Sequence, residues 1–104
     1  MSSKKPTYST YLQLDKILKS QKQLSGKLKK PIHDEMLFIV IHQIYELWFK
    51  QIIHEIDSIL EYFSNPSITE TNINTIVSRL TRIHDIQKIA INQIDILKSM
   101  TPMD

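Results

Sequence analysis

From Asp34 to Ser64 the sequence contains neither glycine nor proline, and apolar side chains return every three or four residues throughout. A run of this kind builds about 45 Å of uninterrupted helix. Nothing else in a chain of 104 residues limits the fold as strongly. Phe38, His42, Tyr45, Phe49, Ile52, Ile56, Ile59 and Phe63 alternate in steps of four and three, which predicts a heptad-like seam. Leu37, Ile41, Ile44 and Trp48 form a second row beside it. The first half of this helix is therefore apolar over most of its circumference and has to be covered from several sides. Asp34 and Glu35 fall in its first turn, where the helix dipole favours acids.

The stretch "SNPS" turns the chain, and Ser67 with Glu70 makes a capping-box pattern that predicts the start of a third helix. Its expected seam is Ile73, Ile76, Leu80, Ile83, Gln87, Ala90, Ile94 and Leu97, with Pro102 ending it soon after Met100. Two long helices joined by so short a turn lie antiparallel. Upstream, Thr7 is placed to cap a short helix whose apolar residues Tyr8, Tyr11, Leu12, Leu14, Ile17 and Leu18 extend to near Ser20. "QKQLSGKLKKPI" holds the only glycine and a proline and reads as an exposed loop. The expected architecture is all-α: residues 1–33 form an N-terminal arm, short helix and lysine-rich loop, and residues 34–104 a long antiparallel helical hairpin. One hairpin and a short helix leave apolar rows open, which predicts assembly into a larger helical bundle, from more chain or more copies.

The absence of cysteine excludes disulfides, thiolate chemistry and zinc–thiolate sites. Residues 1–33 carry eight lysines against one aspartate, and the remainder five bases against ten acids. Those lysines are diluted by Gln, Ser and Leu, without arginine or interleaved aromatics, so they read as a solvated loop and not a nucleic-acid arm. "MSSKKPTYSTYLQLD" lacks the apolar segment of a signal peptide, and no run reaches the roughly 18 consecutive apolar residues of a membrane span. A cytoplasmic protein without membrane contact is expected.

Four histidines on a helical chain invite a metal reading. The paired Glu-x-x-His of di-iron bundles is absent, and His42 with Glu46 gives a single match to a hemerythrin-like spacing. HExxH, a glycine-rich phosphate loop and a GxSxG elbow are all missing. His33, His54 and His84 have no partner at diagnostic spacing and read as surface or capping residues. His42 closes the apolar run "MLFIVI" and has two readings. It is either a buried seam histidine satisfied by a neighbouring helix, or a desolvated, neutral imidazole accepting a hydrogen bond from a ligand N–H. On the second reading, Phe38 one turn earlier offers a ring to a flat ligand.

"TYSTYLQLDKIL", "HDEMLFIVIHQIYELWFKQIIHEIDS" and "ILKSMTP" resemble, in order and spacing, consecutive signatures of the tryptophan 2,3-dioxygenases, all-helical haem enzymes. The resemblance covers most of the chain from Thr7 onward. It implies oxidation of L-tryptophan by O2 to N-formylkynurenine, the first step of the kynurenine route of tryptophan degradation. His42 matches the distal histidine that hydrogen-bonds the substrate indole N–H, and Phe38 the aromatic residue packed on the indole. Tyr8, Tyr11 and Leu12 match an N-terminal segment that, in the family homotetramer, enters a neighbouring subunit's pocket. Trp48, Phe49 and Lys50 belong to the signature as packing and surface residues. The arginine that pairs with the substrate carboxylate and the histidine that ligates haem iron belong to family segments after the last motif, so both are expected downstream of Asp104. This chain alone is therefore expected to supply no metal ligand, to bind no haem and to be inactive. The lysine-rich loop and "LKSMTPMD" in place of a more acidic "LETMTP" are its local departures. Two other readings stand beside this one: a non-catalytic helical oligomerisation module, and a metal-binding bundle using His42 and Glu46.

Overall fold

The computed structural model describes residues 5–27 and 32–100. Pro102, Asp104 and the end of the lysine-rich loop lie outside the described residues, so the stop expected at Pro102 and the hairpin's expected reach to Asp104 fall beyond them. The described elements are α1 (Tyr8–Tyr11), α2 (Leu14–Ile17), a 3-10 turn (Leu24–Lys27), α3 (Glu35–Phe63), α4 (Glu70–Asn92) and α5 (Ile94–Leu97). Two compact units are present, one reaching to Ile39 and the other from Val40 onward.

In the first unit, Thr7 caps α1 as expected, in a capping box with Thr10. The single short helix predicted up to Ser20 is instead two single turns, because Gln13 takes the left-handed conformation (φ 54°, ψ 46°). That costs a non-glycine residue about 1–2 kcal/mol. It also aims the Gln13 carbonyl at the N–H groups of Lys16 and Ile17, at 3.0 and 3.1 Å, which opens α2. The segment read as an exposed loop folds back at Ser25, which is buried at 5% exposure. The carboxylate of Glu35 holds it there.

In the second unit α3 and α4 form the antiparallel hairpin. The chain leaves α3 through Ser64, whose hydroxyl donates to the Glu61 carbonyl at 2.8 Å. The predicted capping box is shifted by two residues. The Ser67 N–H is already donated to Asn65 Oδ1 at 3.3 Å, so it cannot make the reciprocal bond a box requires. Thr69 and Asn72 make that exchange instead, at 3.2 and 3.1 Å. Near the C-terminal end of the described residues the helix is interrupted once, at Gln93, and resumes as α5.

The interface between the long helices is rotated relative to the predicted seams. Ile41, Glu55 and Ile59 of α3 and Ile76, Ile83 and Ile86 of α4 are the buried positions. Tyr45, Trp48, Ile52 and Tyr62 on α3, and Arg79, Ala90, Gln93 and Leu97 on the opposing strip, are partly buried. Three of the eight expected seam residues on α3, Tyr45, Ile52 and Ile59, and four of the eight on the other strip, Ile76, Ile83, Ala90 and Leu97, are buried or partly buried. Phe49, Ile56 and Phe63, and Ile73, Leu80 and Ile94, are exposed, and their places are taken by the residue one position earlier. The cause is polar: the true seam spends positions on Glu55, Arg79 and Gln93, which an apolar count passes over. Ile59, Ile76 and Ile83 form the core cluster, with Ile52 and Tyr62 packed against it. Burying each such isoleucine is worth about 1.5–3 kcal/mol. Arg79 lies over the Tyr62 ring at 5.4 Å from its centroid, and Arg82 Nη1 donates to Glu55 Oε2 at 3.0 Å.

By length and composition α3 is, among the described residues, the one helix able to cross a membrane. Its Glu55 carboxylate is buried and paired to Arg82 of α4.

Candidate functional site

Phe38 and His42 sit four residues apart on α3, hence one turn apart on a continuous helix. Both are exposed in this chain. The desolvated pocket expected around His42 is not formed here, and the rotation of the seam explains why. Tyr45 faces α4, with Ile41 buried and Trp48 half-buried on α3, whereas Phe38, His42 and Phe49 are exposed. His42 is therefore not buried against α4 in this chain.

The His42 ring meets Tyr45 edge-on, with centroids 6.4 Å apart and planes at 85°. Tyr45 stacks in turn on Phe49 at 6.3 Å and 14°. Its hydroxyl donates to the Ala90 carbonyl on α4 at 2.9 Å. Tyr45 thus fixes an aromatic ladder along α3 to the second helix, and its ring borders His42. By spacing alone it is one seam residue among many. The available signal was the hydroxyl, since a tyrosine placed in an apolar interface needs a polar partner for it. Beyond Tyr45 and Phe49 an open apolar groove of about 290 Å³ runs along Ala90, Ile91, Ile94 and Leu97.

The other expected site residues form a separate group. Tyr8 and Tyr11 share the single turn of α1 and project into solvent, at 76% and 75% exposure. Leu12 caps that turn, its N–H donating to the Tyr8 carbonyl at 3.1 Å. All three are exposed.

Two carboxylates show what local structure does to charge. Glu55 is 3% exposed and accepts from Arg82 and, at 2.8 Å, from Gln51 Nε2. The Arg82 hydrogen bond holds its carboxyl below the usual value of 4.5, against the opposing effect of burial. Glu35 is likewise held below 4.5, first by the Ser25 hydroxyl and then by backbone N–H groups. Among the described residues no group of three or more His, Asp or Glu side chains is arranged to hold a metal ion. The pairing of His42 with Glu46 thus gains no third ligand among the described residues. The ligating histidine expected downstream of Asp104 falls on no residue of this sequence, and Asp104 itself lies outside the described residues.

The family model described as tryptophan 2,3-dioxygenase matches residues 1–104. Over 97 residues, 93% of this chain, the sequence is 55% identical to the tryptophan 2,3-dioxygenase of Anopheles gambiae, covering 25% of that protein. It is 54% identical over the same length to that of Dictyostelium discoideum, covering 24% of it, and 47% identical to that of Bdellovibrio bacteriovorus, covering 27%. The chain spans about a quarter of the length of the relatives it matches.

Proposed function

Since the chain belongs to the tryptophan 2,3-dioxygenase family, we propose that it is the N-terminal part of a cytoplasmic enzyme that dioxygenates L-tryptophan with O2 to N-formylkynurenine. The match along the whole chain, at a quarter of its relatives' length, carries this reading. Haem, bound by other parts of the polypeptide, would supply the oxygen chemistry. What this chain contributes is orientation. His42 accepts the indole N–H, Phe38 packs on the ring, and the outward Tyr8, Tyr11 and Leu12 complete a neighbouring copy's pocket. The exposure of all five residues supports roles that need further protein around them.

The test compares substrates in a full-length enzyme carrying this segment. His42→Ala is expected to lower kcat/KM for tryptophan more than for tryptophan methylated at the indole nitrogen, which has no proton to donate. Equal losses for both would remove the hydrogen-bond role. The 104-residue chain by itself, mixed with haem and tryptophan, is expected to form no N-formylkynurenine and no stoichiometric histidine-ligated haem band.

A further inference from the structure

The loop between α2 and α3 is gripped by one side chain. Glu35 Oε2 accepts the Leu24 N–H at 3.1 Å, and Oε1 accepts both the Ser25 N–H at 2.9 Å and the Ser25 hydroxyl. Ser25 Oγ in turn accepts the Ile32 N–H at 3.1 Å. One carboxylate in the first turn of α3 thereby gathers three donors from residues ten and eleven positions earlier. At the other end, Gln21 Nε2 and the Ser20 hydroxyl both donate to the Ile17 carbonyl, at 2.8 and 2.7 Å, closing the end of α2.

Chain length then decides what the grip accomplishes. Only Lys22 and Gln23 separate the last residue tied to α2 from the first residue tied to Glu35. Such a link spans at most about 10 Å. Without the grip, thirteen residues separate Gln21 from Glu35. A flexible stretch of that length has a root-mean-square span of about 20 Å and explores every direction. Glu35 belongs to the same first turns of α3 as Phe38, about one helical turn before it.

We propose that Glu35 is a positioning residue of the substrate pocket: by holding Leu24 and Ser25 it sets where the arm bearing Tyr8, Tyr11 and Leu12 departs from α3. This rests on the function proposed above for that arm. The glutamate is not a group that touches substrate. It converts a long loop into a short strut, so that an arm complementing a neighbouring copy starts from a defined point.

Two measurements test it. In this chain, amide hydrogen exchange at Leu24, Ser25 and Ile32 is expected to be slow, and Glu35→Ala to speed it by about tenfold or more while α4 amides keep their rates. Unchanged protection at Leu24 and Ser25 would overturn the grip. In the full-length enzyme, Glu35→Ala and Ser25→Ala are expected to raise the tryptophan KM severalfold with a smaller effect on kcat. Glu35→Gln, which keeps an acceptor oxygen, is expected to fall between them and the wild type. A KM within about twofold of wild type for Glu35→Ala, with the wild type turning over, would overturn the positioning role. A full-length wild type that turns over no tryptophan would instead overturn the functional reading, with the exchange rates still deciding the grip.

Discussion

Glu55 is a carboxylate at a position where a heptad count puts hydrocarbon, and it is tolerated because Arg82 and Gln51 supply its hydrogen bonds. Its folded pKa lies below the ordinary 4.5, so its stabilising contribution is complete above 4.5 and drains away as pH falls through the lower folded value. Urea unfolding across a pH series is expected to show stability declining on that acid limb. Glu55→Gln is expected to be less stable at neutral pH by about 1–3 kcal/mol and to decline less on acidification. An acid limb as steep as in wild type would count against the pair. Glu35 carries the same sign and keeps part of the slope in the variant. Residues like these mark where sequence reading fails. Phe38, His42 and Tyr8, Tyr11 and Leu12 became candidates through motif resemblance, whereas Glu55, Tyr45 and Ser25 have partners 27, 45 and 10 residues away. No local pattern encodes such distances.

At the level of elements, caps and breaks were legible where the chemistry is local and illegible where two candidates compete. The cap at Thr7, the turn after Ser64 and the two long helices follow from nearby residues alone. For α4, both Ser67 and Thr69 look like caps, and the competition is settled by Asn65 occupying the Ser67 N–H. Thr69→Ala is therefore expected to cost about 1 kcal/mol in chemical denaturation, and Ser67→Ala to stay within about 0.5 kcal/mol of wild type. Comparable losses would mean that the helix starts earlier. The left-handed Gln13 had no signal, since glutamine neither favours that conformation nor marks a turn. The partly correct seams have, besides their polar positions, a second cause. Each long helix carries two apolar stripes, and periodicity alone cannot say which one meets the partner helix.

For the molecule as a whole, the second stripe is the unfinished part. Phe49, Ile53, Ile56, Leu60 and Phe63 on α3, and Ile73, Val77 and Leu80 on α4, all remain exposed. Rows of that length on a chain this small favour association. Sedimentation at micromolar concentration is expected to show species heavier than the monomer. A single monomeric species, with Phe49→Ser no different from wild type, would mean that these rows are harmless in water. The buried isoleucines that zip the hairpin are chemically alike, so hydrocarbon alone would accept a closure displaced by one heptad almost as readily as the correct one. The buried charged tooth forbids it, because a slipped alignment drives a carboxylate into oil with no guanidinium in reach. The hairpin thus proofreads its own alignment.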